Sequence, residues 1–165
     1  MKRNISKSVA LGGILAAVAV GIMCLGGIIP LATYSCPVLC IVAQALVLQF
    51  CGKRIAWAWY GAVSFLALFL GPDKEAAAVF LMLGYYPIIK PKMDSVRVSF
   101  LWKLLHFNTS IVLLYSILIR VMGLENAMED FGELGMFGLC IILVLGNVTF
   151  ILVDQFLNMM GKKMR

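Results

Sequence analysis

The sequence predicts an all-α polytopic membrane protein, a single bundle of six transmembrane helices with both termini on the cytoplasmic side. Two observations lead to this fold class. The 165 residues are 62% hydrophobic and only 13% charged, with a mean hydropathy of +0.99, whereas soluble domains average about 45–50% apolar and about 25% charged residues. Too few polar side chains remain to cover a water-facing surface. The charged residues, moreover, cluster between long apolar stretches.

Each of six apolar stretches is assigned to one crossing of the bilayer, which requires about 20 residues. The region from Ser8 to Gly52 carries no charged side chain and is long enough for two crossings, separated at Pro30 to Pro37 because proline removes a backbone donor. The fourth stretch is short and contains Pro87, so we expect a kinked or distorted helix there. The predicted helices cover about residues 8–29, 37–51, 55–71, 76–90, 98–122 and 134–160 of one transmembrane domain, 1–165.

The distribution of basic residues predicts the orientation of the bundle. Twelve of the fourteen lysines and arginines lie at the amino terminus, in or beside the second and fourth connections, or in the carboxyl tail. Because basic connections remain on the cytoplasmic side, both termini are expected inside, in a bacterial plasma membrane. We interpret these residues as topology determinants and contacts for anionic lipid headgroups, not as a nucleic-acid interface. Amphipathic aromatic residues near the same face are interpreted as interfacial anchors: Trp57, Trp59, Tyr60 and Trp102.

No pattern in the sequence indicates catalysis. A nucleophile elbow, a phosphate-binding glycine loop and a His-Glu-x-x-His motif are all absent from the sequence, so no catalytic residue, cofactor or metal site is assigned and an enzyme is not expected. Small apolar packing is the interpretation for the cysteines: Cys24, Cys36, Cys40, Cys51 and Cys140.

Three ionisable residues form a predicted inner polar cluster near the cytoplasmic half of the membrane. Lys103 and His106 share one face of the fifth helix, and Asp154 lies on the sixth. Polar groups in hydrocarbon are costly and turn toward the bundle interior. Two interpretations remain open. Either Asp154 contacts Lys103 or His106 and fixes the pairing of the two helices, or the cluster is a relay in a small proton-coupled carrier.

The first helix carries two stripes of small residues. Spacings of three and four join Ala10, Gly13, Ala17 and Gly21, and a second pair is formed by Gly12 and Ala16. Small residues at this spacing allow another helix to approach closely, which is how helices associate in lipid. The predicted partner of this helix lies either inside the bundle or on another protein.

The chain resembles the S-components of energy-coupling factor transporters, and the resemblance in topology covers its whole length. It is carried by six short spans with small connections, by the basic amino terminus leading into Ala10-Leu-Gly-Gly-Ile-Leu-Ala-Ala17, and by the segment Ile28-Ile-Pro30 through Pro37. The resemblance implies a subunit that binds a vitamin or similar micronutrient from outside and docks onto a transmembrane scaffold subunit driven by two ATPases. An Ala-x-x-x-Ala motif on the first helix serves docking in that family. Here Gly12, Gly13, Ala16 and Ala17 occupy the corresponding stripe.

A substrate site is accordingly expected to open outward, with an apolar wall and a few polar groups. Residues in the outer connections are expected to close over a small polar ligand: Tyr34, Asp73, Lys74 and Glu75. Near mid-depth, Gln44, Tyr86 and Asn147 either line a central cavity or bond one another as packing contacts. The alternative from another functional class is a non-catalytic accessory or scaffold subunit that packs in a larger complex. That alternative predicts a filled core without a ligand pocket.

Overall fold

A computed structural model describes residues 5–26, 32–95, 98–122 and 143–161 of the chain. These residues are helical apart from short turns and contain no strand, which confirms the all-α class. Residues 123–142, which hold the predicted acidic connection, Cys140 and the start of the sixth predicted helix, lie outside the described residues. The helices are α1 (Ile5–Gly26), α2 (Ala32–Cys51), α3 (Lys53–Leu70), α4 (Lys74–Leu83), α5 (Tyr86–Met93), α6 (Ser99–Met122) and α7 (Leu143–Gly161).

Four of these helices are long and apolar enough to cross a membrane. Their qualifying segments are Ser6–Gly26, Thr33–Cys51, Ser99–Ile117 and Leu143–Gly161. The third helix, α3, has 18 residues but begins with Lys53 and Arg54. The described helices thus show the character of a membrane protein.

The second helix begins earlier than the sequence predicts. Pro37, which we expected at its start, lies inside α2. Since proline has no N–H, the cost to the helix is one backbone hydrogen bond, to the carbonyl of Thr33. Pro37 lies in the second turn of α2. The N–H groups of the first four residues, 32–35, have no helical acceptor in any helix, so the proline adds only this one missing bond.

The fourth predicted helix consists of two short helices, α4 and α5, separated at Gly84 and Tyr85. The Gly84 N–H closes α4 by donating to Phe80 O at 2.7 Å, and Ile88 N–H begins α5 by donating to Tyr85 O at 3.0 Å. Pro87 supplies no donor between them. Neither helix alone is long enough to cross a bilayer. Gly84 and Tyr85 keep right-handed helical φ and ψ angles, so the distortion that Pro87 predicts is a local interruption of the helical hydrogen bonds.

The chain divides into two compact units, Met1–Val96 and Arg97–Arg165. Unit 1 contains α1 to α5, and unit 2 contains α6 and α7. In unit 1, α1 and α2 run antiparallel. The Cys40 thiol lies 3.5 Å from Ala19 O, and the Cys51 thiol lies 3.1 Å from Ser8 O. Both thiols are buried and free, in keeping with their expected packing role.

Unit 2 is an antiparallel pair of helices, α6 and α7, joined by an ion pair, a pair of stacked rings and a pair of amides. The rings of Phe107 and Phe150 stack with centroids 4.7 Å apart. A Cβ added at Gly146 would lie 3.5 Å from Phe107 Cζ, in ordinary van der Waals contact, so α7 packs against the ring at this position. Leu114 of α6 and Leu157 of α7 are also buried.

Candidate functional site

The charged residues that we expected to close over a ligand hold together the turn between α3 and α4. Asp73 Oδ1 accepts the Ala76 N–H at 3.0 Å and therefore caps α4. Lys74 Nζ donates to Leu68 O at 2.7 Å and to Gly71 O at 2.9 Å. Leu68 O would normally accept from residue 72, but Pro72 has no N–H. Lys74 supplies the missing donor.

Glu75 connects this turn to the start of α2. The hydroxyl of Tyr34 donates to Glu75 Oε1 at 3.0 Å, and the Tyr34 side chain is half exposed. The structure thus brings Tyr34, Asp73, Lys74 and Glu75 together at one end of unit 1. We call it the outer end, after the orientation that the sequence predicts. Each of the four makes a hydrogen bond to the protein itself.

Gln44 lies in the middle of α2 and has no exposed surface. Its Nε2 donates to Ala56 O at 2.9 Å, which ties α2 to α3. Its Oε1 is also buried and has no hydrogen-bond partner among the described residues. A buried acceptor without a partner costs about 1–3 kcal/mol. Gln44 is therefore a packing contact through its nitrogen and an available acceptor through its oxygen.

Tyr86 is buried at the start of α5, directly after the helix break. The Lys90 Nζ lies 5.8 Å from the centroid of the Tyr86 ring and 3.8 Å from Asp94 Oδ2. Lys90 itself is buried, so its charge is offset by a ring face and a carboxylate of its own helix.

Asn147, the third residue expected at mid-depth, belongs to unit 2 and pairs with Asn108. Each amide donates to the oxygen of the other, at 3.0 Å and 3.1 Å. The amide nitrogen of each also bonds the carbonyl four residues earlier in its own helix, Leu104 O for Asn108 and Leu143 O for Asn147. Asn147 thus acts as a contact between α6 and α7. A cavity shared by Gln44, Tyr86 and Asn147 stays a prediction.

Two aromatic residues that the sequence assigns to the membrane interface donate hydrogen bonds to backbone carbonyls of unit 1. Trp59 is buried and its Nε1 donates to Gly12 O at 3.0 Å. The Tyr60 hydroxyl donates to Leu81 O, beside the break between α4 and α5. Trp57, in contrast, is exposed as an anchor should be. The spacing of Trp59 with Val63 and other buried residues of α3 was the available signal for its inward position.

Aromatic rings surround the helix break. Phe80 contacts Trp59 edge to face with centroids 6.3 Å apart, and its ring lies 6.0 Å from that of Tyr60. The Tyr60 ring in turn meets Tyr85 at 5.9 Å. Because α4 ends at this level, Leu81 O lacks a regular helical donor, and the Tyr60 hydroxyl provides one.

In the inner polar cluster, Lys103 Nζ lies 3.1 Å from Asp154 Oδ2. The side chains of Lys103 and Asp154 are only 7% and 16% exposed, so this ion pair is shielded from solvent. His106 is half-buried, one turn further along α6. The Lys103–Asp154 pair is the contact between the two helices that the first of the two sequence interpretations predicts.

The two small-residue stripes of α1 face different surroundings. Gly12 is buried, and a Cβ added there would meet Ile55 Cγ2 at 3.5 Å. Among the described residues, no heavy atom lies within 4 Å of a Cβ added at Gly13 or Gly21. Ala17 is exposed and Ala16 is half-buried. One stripe is therefore used inside unit 1, and the other is open.

Within the described part of the chain, no group of three or more His, Cys, Asp or Glu side chains is arranged to hold a metal ion. No protein-family model, curated protein or solved structure matches the chain. Its function is therefore inferred from the geometry of the two units and from the sequence.

Proposed function

We propose that this chain is the membrane-embedded substrate-binding subunit of an energy-coupling-factor-type importer for a vitamin-like or other small micronutrient. In this proposal the chain crosses a bacterial plasma membrane six times, with both termini inside. Four crossings are made by α1, α2, α6 and α7, which have the required length and composition. The third is α3, and the fourth is the broken pair α4 and α5. The chain is not itself an enzyme, and partner ATPases supply the energy for uptake.

The observation that carries the proposal is the open stripe on α1. Gly12 packs against α3 inside unit 1, whereas Gly13, Ala17 and Gly21 remain exposed. Lipid offers no hydrophobic force between helices, so close approach at small residues is a principal means of association. The open stripe therefore suits docking onto a transmembrane scaffold subunit, which is the partner that the resemblance implies.

Two features of unit 1 support the binding of a small polar ligand. Gln44 Oε1 is a buried acceptor without a protein donor among the described residues. A ligand that carries a hydrogen-bond donor would satisfy it, as the few polar groups of an apolar site do. At the outer end, the Tyr34–Glu75 hydrogen bond joins α2 to α4. Ligand entry from that end requires this contact to open.

The proposal is tested by isolating the protein from its host membrane and analysing it by native mass spectrometry. A scaffold subunit with two ATPases, or a bound small molecule of fixed mass, is the expected result. Ala17→Leu should abolish recovery of the scaffold, because the larger side chain blocks close approach. Ala62→Leu is the matched control, since Ala62 is also exposed but lies on α3. The proposal would be disproved if the unmodified protein carried neither the ATPase subunits nor a bound small molecule.

An accessory subunit without a ligand is the second candidate function. It is favoured by the four outer residues, because Tyr34, Asp73, Lys74 and Glu75 all bond to the protein itself. The same experiment separates the two. An accessory subunit would copurify with a larger complex and carry no small molecule, and Gln44→Leu would not alter its assembly.

A further inference from the structure

One end of unit 1 carries exposed basic side chains, and we call it the basic end. It lies opposite the outer end, where α1 and α3 both begin. The two starts are adjacent, since Ser8 O contacts the Cys51 thiol at 3.1 Å and Gly12 lies against Ile55. Among the described residues, the exposed cations at this end include Lys7, Lys53 and Arg54.

These cations have no acidic partner in unit 1. The sequence contains no Asp or Glu before Asp73, and Asp73 and Glu75 lie at the far end of α3, about 27 Å away for 18 residues at 1.5 Å each. Asp94, the remaining acidic residue of unit 1, lies beside Lys90. Asp73 and Glu75 are thus too far away to neutralise Lys53 and Arg54, and Asp94 is engaged with Lys90.

The first turn of α3 adds to the positive potential. Lys53 and Arg54 stand in that turn, which contains no acidic residue and has no side-chain cap at Gly52. Cations beside the positive end of a helix repel it. An external anion at this position would relieve that repulsion and receive a two-pronged contact from the guanidinium.

Exposed aromatic side chains adjoin the cations. Phe50 and Trp57 flank the turn between α2 and α3, and both are exposed. Along α3, the exposed side chains of Phe65, Phe69 and Leu70 continue an apolar surface away from the basic end. Cations at the border of such a surface, with a tryptophan at their level, lie at the depth of lipid headgroups.

We propose that the basic end of unit 1 binds the headgroup of an anionic phospholipid, with Lys53 and Arg54 contacting its phosphate and Lys7 beside them. The apolar border selects a lipid over a soluble anion, because the acyl chains then lie along the exposed aromatic side chains. This proposal does not depend on the importer function and stands if that function is disproved.

The test uses the full-length protein in a neutral detergent. Native mass spectrometry should show several-fold more bound phosphatidylglycerol than phosphatidylcholine, and phosphatidylglycerol alone should raise the melting temperature. Lys53→Gln/Arg54→Gln should remove this preference, whereas the charge-preserving Lys53→Arg/Arg54→Lys should retain it. Lys74→Gln/Arg120→Gln removes the same charge from the two basic residues that lie outside the predicted cytoplasmic set, and it is the matched control. An equal loss in that control, or equal stabilisation by inorganic phosphate, would overturn the proposal.

A second measurement needs no variant and covers the case in which the double substitution prevents folding. An amine-acylating reagent is applied to the protein in phosphatidylglycerol and in phosphatidylcholine nanodiscs. Lys7 and Lys53 should be protected several-fold only in the anionic bilayer. Lys74, which bonds α3 carbonyls at the outer end, should label equally in both. Equal labelling of Lys53 in the two bilayers would disprove the lipid contact.

Discussion

Lys103 of α6 and Asp154 of α7 form a shielded ion pair, with Nζ and Oδ2 3.1 Å apart. One turn further along α6, Phe107 stacks on Phe150, and the next position, Asn108, pairs with Asn147. The three contacts use successive positions on the facing surfaces of an antiparallel pair. They fix the register of α6 against α7, because a shift of one helix along the other would separate the ion pair, the stacked rings and the amide pair.

Breaking the ion pair from one side should destabilise unit 2. Asp154→Asn leaves the Lys103 ammonium buried without its carboxylate, so the free energy of unfolding should fall by about 3 kcal/mol. The double variant Lys103→Met/Asp154→Leu removes both charges and should recover most of that loss. Denaturation in mixed detergent micelles, analysed as a double-mutant cycle, measures the coupling.

The same variants separate the structural interpretation from a proton relay. In liposomes, the double variant should behave as the unmodified protein does in a pH-dye assay. If the unmodified protein moves protons and a well-folded double variant does not, then the ion pair is part of a conduction path and the structural interpretation is wrong.

The amide pair offers a second test of the α6–α7 seam. Replacing Asn147 by Leu removes two interhelical hydrogen bonds and leaves Asn108 to bond only its own helix. Since such bonds contribute about 0.6 kcal/mol on average in membranes, the expected loss is about 1–2 kcal/mol. Asn147→Gln, which keeps an amide, should lose less. A larger effect on ligand binding than on unfolding would instead place Asn147 in a binding site.

Asp73 should act through its helix cap. Asp73→Ala removes the acceptor for the Ala76 N–H and should cost about 1 kcal/mol, whereas Asp73→Asn keeps a capping oxygen and should cost a few tenths. Chemical unfolding of the purified variants measures both. Equal destabilisation by Ala and Asn would show that the negative charge, not the cap, is what the site requires.

Hydropathy and residue spacing predict the helices of this chain better than they predict its polar contacts. The apolar stretch from Ser8 to Gly52 predicts two helices, because in lipid every backbone N–H and C=O must form a hydrogen bond within its own segment. The helices α1 and α2 occupy this stretch. The break between α4 and α5 could be predicted only as a distortion. Pro87 itself frees only Leu83 O, its i−4 carbonyl, whereas the carbonyl that accepts a side-chain donor here is Leu81 O, from the Tyr60 hydroxyl.

The candidate site was less predictable because one polar side chain can serve ligand or protein. A lysine in a connection, such as Lys74, predicts an exposed charge. Its actual partner is Leu68 O, which lacks a backbone donor because Pro72 has no N–H. That the Lys74 side chain reaches this carbonyl is visible only in the structure. The two stripes of α1 are equivalent as patterns. Contacts from α3 distinguish the inner stripe from the open one, because Trp59 bonds Gly12 O and Ile55 lies against Gly12.

Gly84 is required where α4 ends. A Cβ added there would lie 2.5 Å from Phe80 O and 2.8 Å from Phe80 Cε2, so Gly84→Ala must displace the backbone or the ring that packs on Trp59 and Tyr60. We expect a loss of about 1–3 kcal/mol in unfolding free energy, the usual cost of overpacking. Gly61→Ala is the control, because a Cβ added at this exposed α3 position meets no atom of the described residues within 4 Å. That change should stabilise the helix by up to about 1 kcal/mol. Tryptophan fluorescence during thermal unfolding reports both variants, and the loss of stability is expected only for Gly84→Ala. If Gly84→Ala unfolds at the same temperature as the unmodified protein, the close packing of Phe80 against the helix break is not what holds α4 and α5 in place.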